Sequence, residues 1–275
     1  MKAVRVIRGL MAFLTAIPFK MDESFLDISA RYMFLFPAIG IIIGVLAGTY
    51  CFFTTNILLL LFNAANTLIF SGAHQTFFEA SAKGLASFMT VAFLLAVIGL
   101  QHTDGLVDVG NALGLRKASL KEKMDIAHVW TVTRAGAFLA LIVSFFTLVL
   151  IFLTETDCVI QALIVAEVSA KLAMVTTAWQ GASPPQRLED KRGKGRSFIE
   201  FMQKNHGLYA ISLAISLAVG VALLGLGGTL AVAAGILVGG FMILLGKHLF
   251  GGVNGDIFGA TNEIARMAAL LVLVI

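Results

Sequence analysis

Two short stretches place acidic side chains at helical spacing in a chain that has few of them. The first reads Gln101-His102-Thr103-Asp104-Gly105-Leu106-Val107-Asp108-Val109-Gly110-Asn111-Ala112-Leu113-Gly114. On a helix Asp104, Asp108 and Asn111 fall at i, i+4 and i+7, so three oxygen-bearing groups share one face with His102 at its entrance. Oxygen donors without a thiolate suit a hard cation, Mg²⁺ or Mn²⁺, which keeps waters and is completed by substrate phosphates. Gly105 and Gly110 let a phosphate or a second helix come close. The second stretch, Gly251-Gly252-Val253-Asn254-Gly255-Asp256-Ile257-Phe258-Gly259-Ala260-Thr261-Asn262-Glu263, sets Asp256 and Glu263 at i and i+7. Carboxylates gathered at close range repel one another unless cations neutralise them, so a metal set of Asp104, Asp108, Asp256 and Glu263 follows. The plainer alternatives are a decorated helix end for the first stretch and a polar turn for the second. His248 reads as an interfacial side chain.

Cations complement this acid set. Lys194 sits between Gly193 and Gly195, and a glycine-flanked ammonium suits a phosphate, although an ordinary basic loop explains it equally well. Arg134 and Lys171 lie beside or inside apolar runs, where a lone cation is costly and implies an anionic partner or substrate; Lys171 could also snorkel.

The elements that must hold these groups are membrane helices. Of the 275 residues, 59% are hydrophobic and 13% charged, about half the roughly 25% charged content of a soluble domain. Spans are expected at 34–53, 85–100, 136–153, 159–177, 208–226 and 230–249, near the roughly 20 residues that cross a hydrocarbon core. The shorter runs 57–70 and 264–275 read as re-entrant or peripheral. Residues 1–30 carry Lys2, Arg5, Arg8 and Lys20 around an apolar centre and read as an uncleaved interfacial helix. Arg116, Lys117, Lys121 and Lys123 fall in one connection; Arg187, Lys191, Arg192, Lys194, Arg196 and Lys204 fall in another. The positive-inside bias therefore turns both, with the N-terminus, toward the cytoplasm of a multi-pass cell-membrane protein. The expected fold is all-α, a single integral membrane domain over 1–275. Its cytoplasmic functional segments are 101–135, 180–207 and 250–263. Cys51 and Cys158 form no CxxC pair and read as packing residues.

Phosphoryl or phosphodiester transfer at a membrane surface fits this pattern. A transporter would call for polar residues near the midplane and an internal repeat, and neither is visible in the sequence. The start Phe13-Leu14-Thr15-Ala16-Ile17-Pro18, the His102-x-Asp104-Gly105-x-x-Asp108 segment and the Gly251-to-Glu263 segment together resemble the cobalamin synthase family, the adenosylcobinamide-GDP ribazoletransferases. The likeness runs through nearly the whole chain in motif order.

The resemblance implies an integral membrane, Mg²⁺-using enzyme that joins adenosylcobinamide-GDP to α-ribazole or its 5′-phosphate and releases GMP. No nucleic acid is implied. It further implies Asp104 and Asp108 as metal ligands with His102 beside them, and Asp256 and Glu263 match the family's C-terminal acidic motif. From the chemistry required we expect Asp104, Asp108, Glu263 and His102 as catalytic groups, with Arg134, Lys171, Lys194, Asn111, Asn254 and Asn262 on the substrates. The family pattern commonly has Asp where this chain has Asn111, Arg where it has Ala16, and Asp near Val132. The CDP-alcohol phosphotransferases also open an acid series with Asp-Gly, but their Ala-Arg and further spaced Asp residues are missing from Asn111-Ala112-Leu113-Gly114. The glycine-rich faces 220–228 and 235–240 serve helix packing within one chain or between two copies.

Overall fold

The structure is a computed structural model and describes residues 2–19, 25–70, 72–115, 117–128, 131–185 and 194–275. It is all-helical among these residues: α1 (Lys2–Leu14), α2 (Phe25–Arg31), α3 (Phe36–Phe70), α4 (Gln75–Ile98), α5 (Gln101–Gly114), α6 (Leu120–His128), α7 (Arg134–Leu153), α8 (Val159–Gln180), α9 (Lys194–Lys204), α10 (Leu208–Phe250) and α11 (Gly255–Val274). Six of them, α3, α4, α7, α8, α10 and α11, are long and apolar enough to cross a membrane.

Helix α8 is the hub. Apolar and small residues occupy all its faces, so it has no polar side to turn outward. It is buried from Ala162 to Ala178, packed against α3, α10 and α11. Gly40, Gly44 and Gly48, one every fourth residue of α3, lie directly on the α8 backbone; a Cβ on Gly48 would lie 2.7 Å from the Ile160 Cα. Such a small-residue stripe supplies helix contact where lipid offers no hydrophobic driving force.

Two elements differ from the expected spans, and a third joins two expected spans in one run. Residues 57–70 are the outer half of α3, a 35-residue helix about 52 Å long, and form no independent crossing. Residues 208–250 are one continuous run of helical turns that doubles back: Leu224 and Gly225 leave the helical region, with Gly225 at φ +54°. A Cβ on Gly220 would lie 2.8 Å from the Gly228 carbonyl oxygen, whereas a straight helix would separate them by about 12 Å. The two arms match the expected spans 208–226 and 230–249. Finally, 264–275 is no peripheral piece, because α11 starts at Gly255 and carries the acidic stretch into a full-length membrane helix. The stretch 250–263 is therefore mostly helix rather than loop.

At the other end of the chain, α1 exposes Val4 and Ile7 beside Arg5 and Arg8, the mixed face of an interfacial helix. It is pinned from behind by the Ser29 hydroxyl, which donates to the Gly9 carbonyl at 3.1 Å.

Candidate active site

Gly99, at φ +81°, ends α4 and lets α5 leave at a new angle; only glycine adopts that conformation without strain. The first turn of α5 then meets the first turn of α11. A Cβ on Gly105 would lie 2.6 Å from the Asp256 carbonyl oxygen, and one on Gly259 would lie 3.1 Å from His102. The start of α9 closes the third side, with Gly195 3.3 Å from the Gly255 nitrogen by the same measure. Three helix N-termini thus surround one cavity of about 330 Å³, which Gln101, His102, Asp104, Gly195, Gly255 and Asp256 line. Unpaired N–H groups and the positive dipole ends make such a place attractive to anions.

Asp104 is exposed on the cavity, while Asp108, one turn on, is buried and outside the lining. Asp256 accepts from Asn254 Nδ2 at 2.8 Å. His102 is 6% exposed, and its Nδ1 has no hydrogen-bond partner among the described residues. Burial, then the nearby Lys171 and Arg266 cations, push its pKa down to about 3, so the ring is neutral near pH 7. Among the described residues no three His, Cys, Asp or Glu side chains form a preassembled metal cluster. Two carboxylates on one wall, with room for phosphate oxygens and water, nonetheless fit Mg²⁺, which rarely uses an all-protein cage.

Other expected site residues lie elsewhere. Asn111 is a brace: its Nδ2 donates to Thr131 O at 2.8 Å, and its Oδ1 accepts from Thr133 N at 3.0 Å and Thr133 Oγ1 at 2.7 Å. It is 1% exposed and outside the cavity lining. Asn254 caps α11, accepting from Ile257 N at 3.1 Å. Arg134 is exposed at the start of α7, outside the cavity lining. The Lys194 side chain, like Arg116, Arg187, Lys191, Arg192 and Gly193, lies outside the described residues.

Lys171, Asn262 and Glu263 belong to a closed ionic network at mid-bundle. Lys171 Nζ donates to Glu167 Oε2 and to Asn262 Oδ1, both at 2.8 Å, and Asn262 Nδ2 donates to Glu263 Oε1 at 2.9 Å. Arg266 bonds both Glu167 and Glu263. Glu167 and Lys171 are fully buried, and the four formal charges cancel. Burying a charge in a membrane is tolerable only with such pairing. The network corrects two expectations. Charged residues do sit midway along α8 and α11, and Glu263 is tied to Arg266 rather than presented to the cavity. Glu167 and Arg266 were missed by sequence reasoning, although an acid four residues before Lys171 inside an apolar run is a readable pairing signal.

The family model described as cobalamin-5-phosphate synthase matches residues 6–274. The chain belongs to the cobalamin-5-phosphate synthase family. A curated adenosylcobinamide-GDP ribazoletransferase of Methanocella arvoryzae is 30% identical, with 96% of this chain and 93% of that protein covered. Proteins of the same name from Methanococcoides burtonii and Halorubrum lacusprofundi are 25% and 28% identical, covering 98% and 96% of this chain and 91% and 94% of theirs. No solved structure matches.

Membership gives the chain's departures a structural setting. Ala16, in the place of the family's Arg, is fixed where its N–H donates to Val97 O at 2.8 Å, against the α4–α5 turn. Val132 is 65% exposed, next to the loop that Asn111 holds. Neither departure falls on the cavity lining.

Proposed function

We propose that this member of the family, an enzyme of cobalamin synthesis, transfers the cobinamide-phosphate group of adenosylcobinamide-GDP to α-ribazole or α-ribazole 5′-phosphate. The observation that carries this reading is the meeting of three helix N-termini and two carboxylates, Asp104 and Asp256, on one cavity. A pyrophosphate needs its charge neutralised, and phosphoryl transfer is mostly positioning plus electrostatics.

In the reaction the acceptor hydroxyl oxygen bonds to the cobinamide-linked phosphorus, the bond to the GMP oxygen breaks, and the hydroxyl proton must leave. His102 lines the cavity, but a pKa of about 3 and a buried Nδ1 make it a weak base, so the proton passes to water at the open Asp104 end. Glu263 is set aside for this role by its bond to Arg266. Asp104 and Asp256 would hold Mg²⁺, with Asp108 behind them; the bound ion would neutralise phosphate charge. The N-terminal amides of α5, α9 and α11 cradle the phosphate oxygens, and the exposed Asp104 end leaves the larger substrate an open approach. The cavity lies at the end of the bundle that carries α1 and the basic connections, which supports a cytoplasmic site in the cell membrane.

The test is incubation of detergent-purified protein with adenosylcobinamide-GDP, α-ribazole and Mg²⁺, following GMP and corrinoid product by chromatography. Product that disappears with EDTA supports the reading. Turnover of a CDP-linked lipid in its place would sink it.

A further inference from the structure

We infer that the ring wall formed by Phe13, Phe198 and Phe258 is the subsite for the flat base of the acceptor nucleoside, an inference that rests on the transfer reaction proposed above. The three rings line the same cavity as Asp104 and Asp256. They touch in series: Phe13 and Phe198 have centroids 4.8 Å apart at 31°, and Phe198 and Phe258 6.2 Å apart at 57°. Met174 adjoins them on the cavity wall, a flexible thioether suited to the edge of an aromatic ligand.

Size and polarity decide which part of the substrates this wall takes. A volume of about 330 Å³ is at the low end of the roughly 300–1,000 Å³ that enclose drug-sized ligands. One nucleoside fits, whereas a corrin ring with its amide side chains does not, so the corrinoid stays outside the mouth. Two flat bases then compete for the rings. Guanine carries N–H donors and carbonyl acceptors around its edge, and burying them against phenyl rings leaves them unpaired at a cost. A ribosylated benzimidazole has no N–H and a single ring acceptor. The wall therefore suits the benzimidazole, and seating it there turns the ribose toward the carboxylates and helix N-termini.

The experiment is equilibrium binding of α-ribazole to the full-length protein in detergent, read by the intrinsic fluorescence of the benzimidazole without donor substrate. Free dimethylbenzimidazole is expected to displace it, and guanosine is not. The Phe258→Ala variant should weaken α-ribazole binding at least tenfold and leave the KM for adenosylcobinamide-GDP within twofold. Displacement by guanosine, or a rise in the donor KM alone, overturns the assignment. Phe198 also packs on Phe36, so Phe198→Leu, checked by thermal melting, serves as the second variant. The wild-type competition decides the matter even if neither variant folds. Binding without GMP release would defeat the transfer reaction and leave the subsite standing; turnover with guanosine displacement would do the reverse.

Discussion

Gly105 and Asp256 meet backbone to backbone, so close that a methyl group on Gly105 would lie 2.6 Å from the Asp256 carbonyl oxygen. No side chain can give way there, and Gly105→Ala must push α5 off α11. The separation of Asp104 from Asp256 changes with it. Overpacking of this kind costs about 1–3 kcal/mol, and misplacing reacting groups by about 1 Å can cost on the order of 100-fold in rate. GMP release should fall steeply in Gly105→Ala while Gly240→Ala, which meets nothing within 4 Å, stays near wild type.

Asp104→Asn and Asp256→Asn should each remove transfer by roughly 100-fold or more, as expected when one electrostatic contact to a developing charge is lost. Thermal melts should hardly move for Asp104→Asn, since that side chain is exposed. Titrating Mg²⁺ in residual-activity assays should show a raised metal requirement. A normal Mg²⁺ dependence in both variants would remove these residues from the metal site.

Lys171 distinguishes two roles. As a phosphate grip, its loss would lower activity in a stable protein. As a strut, its loss leaves Glu167 buried with Arg266 alone, and breaking a buried pair costs about 3–5 kcal/mol. Lys171→Met should therefore lower the melting temperature, and adding Glu167→Gln should recover part of the loss. The recovery is read from the double-mutant cycle in detergent melts.

Restoring the family's acid at position 111 should not help. In Asn111→Asp the Nδ2 donor to Thr131 O disappears and a carboxylate oxygen faces that carbonyl. The Thr131 carbonyl is on an exposed residue and can turn to water, so the loss is that of an ordinary hydrogen bond, about 0.5–1.5 kcal/mol, plus the repulsion between the two oxygens. Lower stability with unchanged or reduced transfer is expected; a clear gain in Mg²⁺ affinity would show that position 111 reaches the metal.

Much of the fold was legible because membrane helices announce themselves by length and polarity. Spans at 136–153 and 159–177 became α7 and α8 with little change. The two acidic stretches were legible too, since a carboxylate in so apolar a chain needs a reason. What the sequence hid was the partner of each polar group. Periodicity put Asn111 on the face of Asp104 and Asp108, but the 131–133 loop that captures its amide is folded back from twenty residues away. Likewise Glu263 shares a helix with Asp256, yet it looks down the bundle toward Arg266 and α8 rather than up into the cavity. The aromatic wall was invisible for a different reason: Phe13, Phe198 and Phe258 come from three separate helices.

The reversal at Leu224 and Gly225 settles how the two halves of the active site find each other. Because α10 returns to the end from which it started, α11 begins beside α5, with Asp256 and Asp104 on one cavity. Were residues 208–250 a single straight rod, the acidic start of α11 would be delivered to the opposite compartment, a bilayer away from its counterpart. One backbone turn with a positive φ thus fixes the parity of membrane crossings, and with it the side on which a whole catalytic half is assembled.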